Sequence, residues 1–310
     1  MTSPIDLRCL RGEAVTVVEV GPRDGLQNEA ALVSTADKVQ FIDRLSEAML
    51  PVIEVAAFVS QRWVPQMADA AEVFAGITRR PSTRYTALAP NLRGLDRAVA
   101  AGADEVAIFA AASESFSRRN INQGIEESLA GYAAVCAAAR ERGLRVRAYL
   151  STAFGCPYEG AVDPARVADL SARLLAIGAY EVAVSDTIGI AHPGQVRSLL
   201  PRLFADVPAP HVALHFHDTR GTALANVLAA LDLGVRTFDA SAGGLGGCPY
   251  APGATGNLAT EDLIYLLDGV GAETGVDLDA LIRASLGLEE KVERPLPSRV
   301  LQARKRATYR

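Results

Sequence analysis

The stretch RVRAYLSTAFGCPYEGAVDPARVADLSARLLAIGAYEVAVSD, residues 145–186, shows the unit from which the chain is built. Its two ends, Arg145–Ser151 and Glu181–Asp186, are short apolar segments of the kind that form β-strands. Between them, Pro164–Ile177 has the length and spacing of a helix, and Gly178 follows as a stop signal. A strand, a helix and a second strand in this order predict two parallel strands joined by a crossover helix.

The same alternation extends over most of the 310 residues. Strands are predicted at Val15–Val20, Val52–Phe58, Arg84–Ala89, Glu105–Ala110, Arg145–Ser151, Glu181–Asp186, His211–Asp218 and Thr237–Ala242. Helices are predicted at Thr35–Met49, Pro65–Thr78, Leu92–Ala101, Ile125–Arg142, Pro164–Ile177, Pro193–Phe204 and Ala223–Leu233. Eight strand–helix units favour a closed (β/α)8 TIM barrel, because eight parallel strands with crossover helices close on themselves.

The predicted barrel occupies about residues 15–270 of one catalytic domain that spans residues 1–310. A short C-terminal helical extension with a basic tail is predicted for about residues 271–310. The main rival is a doubly wound open sheet, which would carry a glycine-rich nucleotide loop after an early strand. Here the first strand leads into Gly21–Gly25, GPRDG, which fits neither GxGxxG nor GxxxxGK.

Composition and charge narrow the functional classes. The chain is 49% hydrophobic and 22% charged with a net charge of -5, which is typical of a packed enzyme. Its one basic cluster, Arg304, Lys305, Arg306 and Arg310, is expected to be a solvated end, so no nucleic-acid partner is predicted. No stretch reaches the ~18 apolar residues of a membrane span. Scattered cysteines and no signal-like N-terminus favour a cytoplasmic location.

The segment Leu214–Asp218, LHFHD, contains two of the four histidines, His215 and His217. A spacing of two residues on a strand places both imidazoles on one face. If that face lines the barrel near its carboxyl end, two nitrogens converge where a divalent cation can bind. The alternative is a pair of ordinary core histidines, which carries equal weight for an isolated HxH motif.

Two oxygen-bearing side chains are expected near these histidines. Asp24 follows the first strand, and Asn257 lies in the loop after the eighth. Two nitrogens and two oxygens suit Mg²⁺ or Mn²⁺ and would also accept Zn²⁺ or Co²⁺. Asp24 alone would more often cap the turn before Gly25, but the C-terminal end of a barrel strand is where catalytic residues gather.

At these residues the chain resembles the 3-hydroxy-3-methylglutaryl-CoA lyases, within a larger group of barrel metallolyases and condensing enzymes. The resemblance rests on collinear blocks over roughly residues 15–290. They are VEVGPRDGLQNE at 18–29, FVS at 58–60, WVPQM at 63–67, GCPYEG at 155–160, DTIG at 186–189, HFHDT at 215–219, GLGGCPY at 244–250, GN at 256–257 and ATED at 259–262.

The resemblance implies that Asp24, His215, His217 and Asn257 hold the metal ion. It also gives catalytic roles to Arg23, Glu54 and Cys248. Arg23 is expected to hold the thioester oxygen as negative charge develops, the alternative being a salt bridge at the rim. Glu54 is expected to orient Arg23 or a water molecule, the alternative being a structural ion pair. Cys248, in a glycine-rich loop, is expected to protonate the enolate.

Three further residues are expected near the substrate. Asp186 and Thr187 end the sixth strand, where they either bind the acyl or pantetheine portion or close the turn. Gln27 follows Asp24 and either contacts substrate or ends the loop. The proton of the substrate hydroxyl is expected to pass to Asp24 or His215, although a group that holds the metal is a weakened base.

The resemblance implies cleavage of 3-hydroxy-3-methylglutaryl-CoA to acetyl-CoA and acetoacetate, an acyl-CoA thioester as partner, a homodimer and an association with leucine degradation. Ala56, Ala57 and Ala183 stand where hydroxyl residues are common in the family, and Arg220 and Thr222 replace tyrosine and glutamine. Citramalyl-CoA or a branched 3-hydroxyglutaryl-CoA is therefore an alternative substrate. A condensing enzyme of the isopropylmalate synthase type, expected to carry a further C-terminal region, and a silent binding protein are weaker alternatives.

Overall fold

The computed structural model describes residues 10–247 and 256–308. Its eight strands are β1 (Thr16–Glu19), β2 (Val52–Ala57), β3 (Arg84–Leu88), β4 (Glu105–Ala111), β5 (Arg145–Ser151), β6 (Glu181–Asp186), β7 (Val212–Phe216) and β8 (Thr237–Ala240). Each strand pairs in parallel with the next, and β8 closes on β1. The predicted TIM barrel is confirmed.

Helices alternate with the strands. They are α1 (Thr35–Glu47), α2 (Ala70–Gly76), α3 (Leu92–Ala100), α4 (Glu114–Ile121), α5 (Ile125–Glu141), α6 (Pro164–Ala176), α7 (Pro193–Leu203), α8 (Ala223–Asp232), α9 (Thr260–Val270), α10 (Leu278–Val292) and α11 (Arg299–Thr308). Local signals explain several of the starts. The side chains of Ser34, Asn91 and Asp163 accept hydrogen bonds from backbone amides in the first turns of α1, α3 and α6.

The predicted helix Pro65–Thr78 is in two pieces. A 3-10 turn covers Pro65–Met67, and α2 begins only at Ala70. Lys38 on α1 donates from Nζ to the carbonyl of Gln66 and to Asp69, at 2.5 and 2.6 Å. The buried ammonium group of Lys38 therefore bonds to a carbonyl in the 3-10 turn and to the carboxylate directly before α2.

The interior of the barrel is unusually polar. Barrel interiors are mostly filled by branched aliphatic side chains, yet Arg147, Glu181 and Asp239 are all buried here. Arg147 on β5 donates to Glu181 on β6 and to both carboxylate oxygens of Asp239 on β8. Buried charges must be paired, and closure of the barrel brings these partners together.

The C-terminal helices pack beside the barrel. Helix α10 lies against α1, and the carboxylate of Asp262 on α9 accepts hydrogen bonds from the first backbone amides of α11. The expected solvated basic tail is thus partly helical, and Arg304 pairs with Asp279. Among the described residues, no helix is long and apolar enough to cross a membrane.

Candidate metal centre and active site

Arg23 and Asp24 lie in a turn of π-helix, Gly21–Gly25, that directly follows β1. The backbone amides of Asp24 and Gly25 both bond to the carbonyl of Val20. Gly25 is required by a close approach, because a Cβ atom there would lie 2.8 Å from the Cβ of Leu245. The turn is therefore pressed against the loop after β8, and π-helical turns are frequent at functional sites.

His215 and His217 come from β7 and the residue just beyond it. His215 pairs in register with Asp239 of β8, and His217 forms an isolated bridge with Asn257. The bridge explains how a residue far along the chain reaches the strand end. Both histidines are buried, and their ring centroids are 5.3 Å apart.

Asp24, His215 and His217 offer ligand atoms within 4.8 Å of one another. Asn257 completes the group by donating from Nδ2 to Asp24 Oδ2, at 2.9 Å, and to the carbonyl of Leu245. Its Oδ1 is buried and has no hydrogen-bond partner among the described residues, and the same is true of His217 Nδ1. A buried acceptor without a donor is costly, so this donor set fits a divalent cation.

The protonation states of Asp24 and His217 also suit metal binding, whereas the pKa of His215, which burial alone would lower, is raised by Asp239 and Asp24. Burial alone would raise the pKa of Asp24, but Arg23 and the two histidines lower it to about 2. Burial and the neighbouring His215 lower the pKa of His217 to about 4. Near neutral pH the aspartate is an anion and His217 is neutral, which are the forms that bind metal ions.

Arg23 is held beside this cluster by two carboxylates. Its Nε donates to Glu54 Oε2 and its Nη1 donates to Asp24 Oδ1, both at 2.6 Å. Tyr149 donates to the same Glu54 oxygen at 3.1 Å, and its ring centroid lies 5.2 Å from the Arg23 guanidinium carbon. The guanidinium is thus fixed in orientation in a residue that lines the cavity.

A cavity of about 1340 Å³ opens above these residues, with Arg23, Asp24, His215 and His217 in its wall. Pockets for small ligands are commonly about 300–1000 Å³, so this one has room for a ligand with a long arm. Gln27 and Thr187 also line it. Glu54 lies behind Arg23 rather than in the wall.

Asp186 differs from the expectation of a substrate contact. Its two carboxylate oxygens accept hydrogen bonds from the backbone amides of Ile190 and Ala191. The side chain therefore closes the turn after β6, which was the alternative reading, and it is absent from the cavity wall. Thr187 Oγ1 accepts from the amide of Thr152. Cys248 lies outside the described residues.

Sequence reasoning missed Tyr149 and Asp239. Tyr149 contacts both Arg23 and Glu54, and Asp239 accepts a hydrogen bond from His215 at 3.2 Å. A signal was present, because Asp239 is a carboxylate within an apolar strand, as Glu54 is. The spacing of Arg147 and Tyr149 likewise places both on one face of β5.

Over most of its length the chain is similar to known proteins. The model of a family described as HMGL-like matches residues 14–286. A rat protein named 3-hydroxy-3-methylglutaryl-CoA lyase, cytoplasmic, is 52% identical over 291 residues, which are 94% of this chain and 85% of the rat protein.

Two solved structures are similar over nearly the whole chain. Hydroxymethylglutaryl-CoA lyase from Pseudomonas aeruginosa has a TM-score of 0.94 and 50% identity, and the match covers 96% of this chain and 99% of that one. An HMG-CoA lyase from Acinetobacter baumannii, solved with coenzyme A and 3-methylmalate, has a TM-score of 0.90 and 38% identity, with 98% and 97% coverage.

Proposed function

This chain belongs to the HMGL-like family, and from that premise we propose that it is a carbon–carbon lyase. Its substrate is 3-hydroxy-3-methylglutaryl-CoA, which it cleaves to acetyl-CoA and acetoacetate. The observation that carries the proposal is the cluster of Asp24, His215, His217 and Asn257 beside Arg23, in the wall of one large cavity.

Asp24, His215, His217 and Asn257 would hold a divalent cation, with Mg²⁺ or Mn²⁺ favoured by the two oxygen donors. What such an ion supplies is Lewis acidity, which lowers the pKa of a nearby hydroxyl group. Asp24 and His215, which line the cavity, are the proposed acceptors of the hydroxyl proton, although a group that also holds the metal is a weakened base. Because the pKa of Asp24 is lowered to about 2, that carboxylate holds a proton poorly.

Arg23 is suited to hold the thioester oxygen. Cleavage moves electrons into a thioester enolate, so negative charge grows on that oxygen during the reaction. A guanidinium already fixed by Glu54 and Asp24 does not have to reorganise as the charge appears. The proposed role of Glu54 is therefore to position Arg23, and Cys248 is proposed to protonate the enolate carbon.

The size of the cavity supports an acyl-CoA partner, and the Acinetobacter baumannii relative was solved with coenzyme A. That complex also contains 3-methylmalate, and Ala57 and Ala183 are buried without hydroxyl groups here. A citramalyl-CoA or branched 3-hydroxyglutaryl-CoA is therefore the second candidate substrate. A homodimer in the cytoplasm that serves leucine degradation is proposed from the same family relationship.

The test is acetyl-CoA release from 3-hydroxy-3-methylglutaryl-CoA by metal-stripped protein, before and after Mg²⁺ or Mn²⁺ is added. We expect activity to return with metal in the unchanged protein and in a His211→Ala control, and to be absent in His217→Ala. His211 is a matched control because it is exposed and outside the site. If the protein binds the metal ion but does not cleave this thioester, the substrate assignment is wrong. If it binds no metal ion, the metal-assisted mechanism is wrong.

A further inference from the structure

The two histidines of the cluster are held in different ways. His215 Nδ1 lies 3.2 Å from Asp239 Oδ2, and both side chains are buried. His217 Nδ1 has no hydrogen-bond partner among the described residues. The barrel therefore fixes the ring of His215 through a carboxylate at Nδ1, whereas Nδ1 of His217 has no such partner among the described residues.

Asp239 is itself fixed from the opposite wall of the barrel. Arg147 Nη2 donates to Asp239 Oδ1 at 2.7 Å, and Arg147 Nη1 donates to Oδ2 at 3.2 Å. Arg147 Nε donates to Glu181 Oε1 at 2.6 Å. This two-bond contact sets the plane of the carboxylate as well as its position, so Asp239 cannot turn away from His215 without breaking it.

This arrangement selects one tautomer of His215. An ionised carboxylate only accepts hydrogen bonds, so the imidazole nitrogen that faces Asp239 must carry the proton. The lone pair then lies on Nε2, at the opposite side of the ring. Tyr149 restricts the ring further through an edge contact, with centroids 6.2 Å apart.

We propose that Asp239 is a positioning residue for the metal centre, which fixes His215 as the Nδ1–H tautomer and aims Nε2 at the ligand cluster, with Arg147 holding Asp239 in place. The inference rests on the proposed metal site. A carboxylate behind a histidine ligand typically changes metal affinity by about 10- to 100-fold. Asp239 and Arg147 touch no substrate in this scheme and act only through His215.

The first measurement is Mn²⁺ binding to metal-stripped protein, followed by the electron paramagnetic resonance signal of the free ion. Asp239→Asn is expected to weaken binding by about 10- to 100-fold. The matched control is Glu181→Gln, which removes the charge of the other carboxylate partner of Arg147; among the described residues the hydrogen bond of His215 is to Asp239 and not to Glu181, so we expect a change below about threefold. Equal affinities in all three proteins would overturn the proposal.

Asp239→Asn leaves Arg147 with one charged partner fewer, and it could therefore fail to fold. The triple variant Arg147→Met, Asp239→Asn and Glu181→Gln removes all three paired charges together, so that neither a buried guanidinium nor a buried carboxylate is left without its partner. Its fold is checked by circular dichroism, and it is expected to show the same loss of Mn²⁺ affinity. A folded triple variant with unchanged affinity would contradict the proposal.

The second measurement needs no variant of the site. The chain has four histidines, and ¹⁵N NMR of labelled, metal-free protein reports the tautomer of each. The substitutions His192→Gln and His211→Gln remove the signals of the two histidines outside the cluster, so that only those of His215 and His217 remain. In spectra recorded above the raised pKa of His215, this residue is expected to be the neutral Nδ1–H tautomer, and a neutral Nε2–H tautomer of His215 would overturn the proposal. If Mn²⁺ binding depends on Asp239 but the thioester is not cleaved, the proposed function fails while this inference stands.

Discussion

At the scale of single residues, Arg23 has the most demanding surroundings. It is buried between Glu54 and Asp24 and lies against the face of Tyr149. Burial alone would lower the pKa of Arg23, but Glu54 and Asp24 raise it, so the guanidinium stays protonated, and its fork geometry fixes two bonds at once. The ammonium group of lysine is a single point charge and cannot form both bonds in this geometry, so lysine is not expected to replace arginine at this position.

Arg23→Lys is expected to lower kcat by about 10²- to 10³-fold, because an oriented donor to the developing charge is lost. KM should change much less, since the interaction grows as the reaction proceeds. Steady-state kinetics with 3-hydroxy-3-methylglutaryl-CoA would measure both. Arg79→Lys is the control, because Arg79 pairs with Asp104 at the surface. A kcat for Arg23→Lys that equals the control value would remove Arg23 from the chemical step.

Cys248 is tested by replacement with serine. Serine keeps the size of the side chain but is a far weaker proton donor than a thiol, so turnover is expected to fall by about 10²-fold or more. Mn²⁺ affinity should be unchanged, because the metal cluster does not include this residue. Cys136→Ser is the matched control, since that thiol is buried in α5 away from the cavity. Unchanged turnover in Cys248→Ser would leave the enolate without its proposed proton donor.

At the scale of secondary-structure elements, the C-terminal extension supports the loop that follows Asp24. Arg294, between α10 and α11, donates through Nε and Nη2 to the two carboxylate oxygens of buried Glu29. Gln66 also donates to the carbonyl of Glu29. The loop that begins with the proposed metal ligand is therefore attached to the C-terminal extension as well as to the turn that precedes α2.

Arg294→Met is expected to lower the free energy of unfolding by about 1–3 kcal/mol, because Glu29 would remain buried without its partner. Arg304→Met removes another arginine of the extension, but its pair with Asp279 is exposed, so a loss below about 1 kcal/mol is expected. Urea unfolding of both variants gives the comparison. Equal losses would mean that the contact with Glu29 adds no more than a surface ion pair.

The sequence predicted the elements better than the contacts inside the barrel. The bounds of β5 and β6 match their patterns, and Asp24, His215, His217 and Asn257 were placed by strand ends and by the family resemblance. Helix α4 was missed because ESFSRRNI has few apolar residues. The pair of Arg147 and Asp239 could not be found locally, since 92 positions separate them and only closure of the barrel brings them together.

At the scale of the whole molecule, two buried carboxylates support the loop after β8. Glu19 accepts hydrogen bonds from the amides of Gly21 and Ala242 and from Thr260. Glu261 accepts from the amide of Gly243 and from Ser285. Both lie beneath the segment that leads to Cys248. Burial raises the pKa of each to about 7, against the hydrogen bonds that lower it.

These raised pKa values predict how stability depends on pH. A carboxyl group whose pKa is higher in the folded state contributes stability that is complete below the unfolded pKa, near 4.5, and is lost as pH rises through the folded value. Between about pH 6.5 and 8 the free energy of unfolding should fall by about 1–2 kcal/mol from the two groups together. The window starts at the unfolded pKa of histidine, about 6.5, so His217 adds only a small opposite slope; His215, whose raised pKa also makes stability fall with pH, is present in both proteins of the comparison. Urea unfolding at several pH values gives the free energy of unfolding across this window. Its decrease with pH should be smaller in the double variant Glu19→Gln, Glu261→Gln than in the unchanged protein. Equal slopes would mean that both carboxylates are already ionised in the folded barrel, held in that state by the amides and hydroxyls that donate to them.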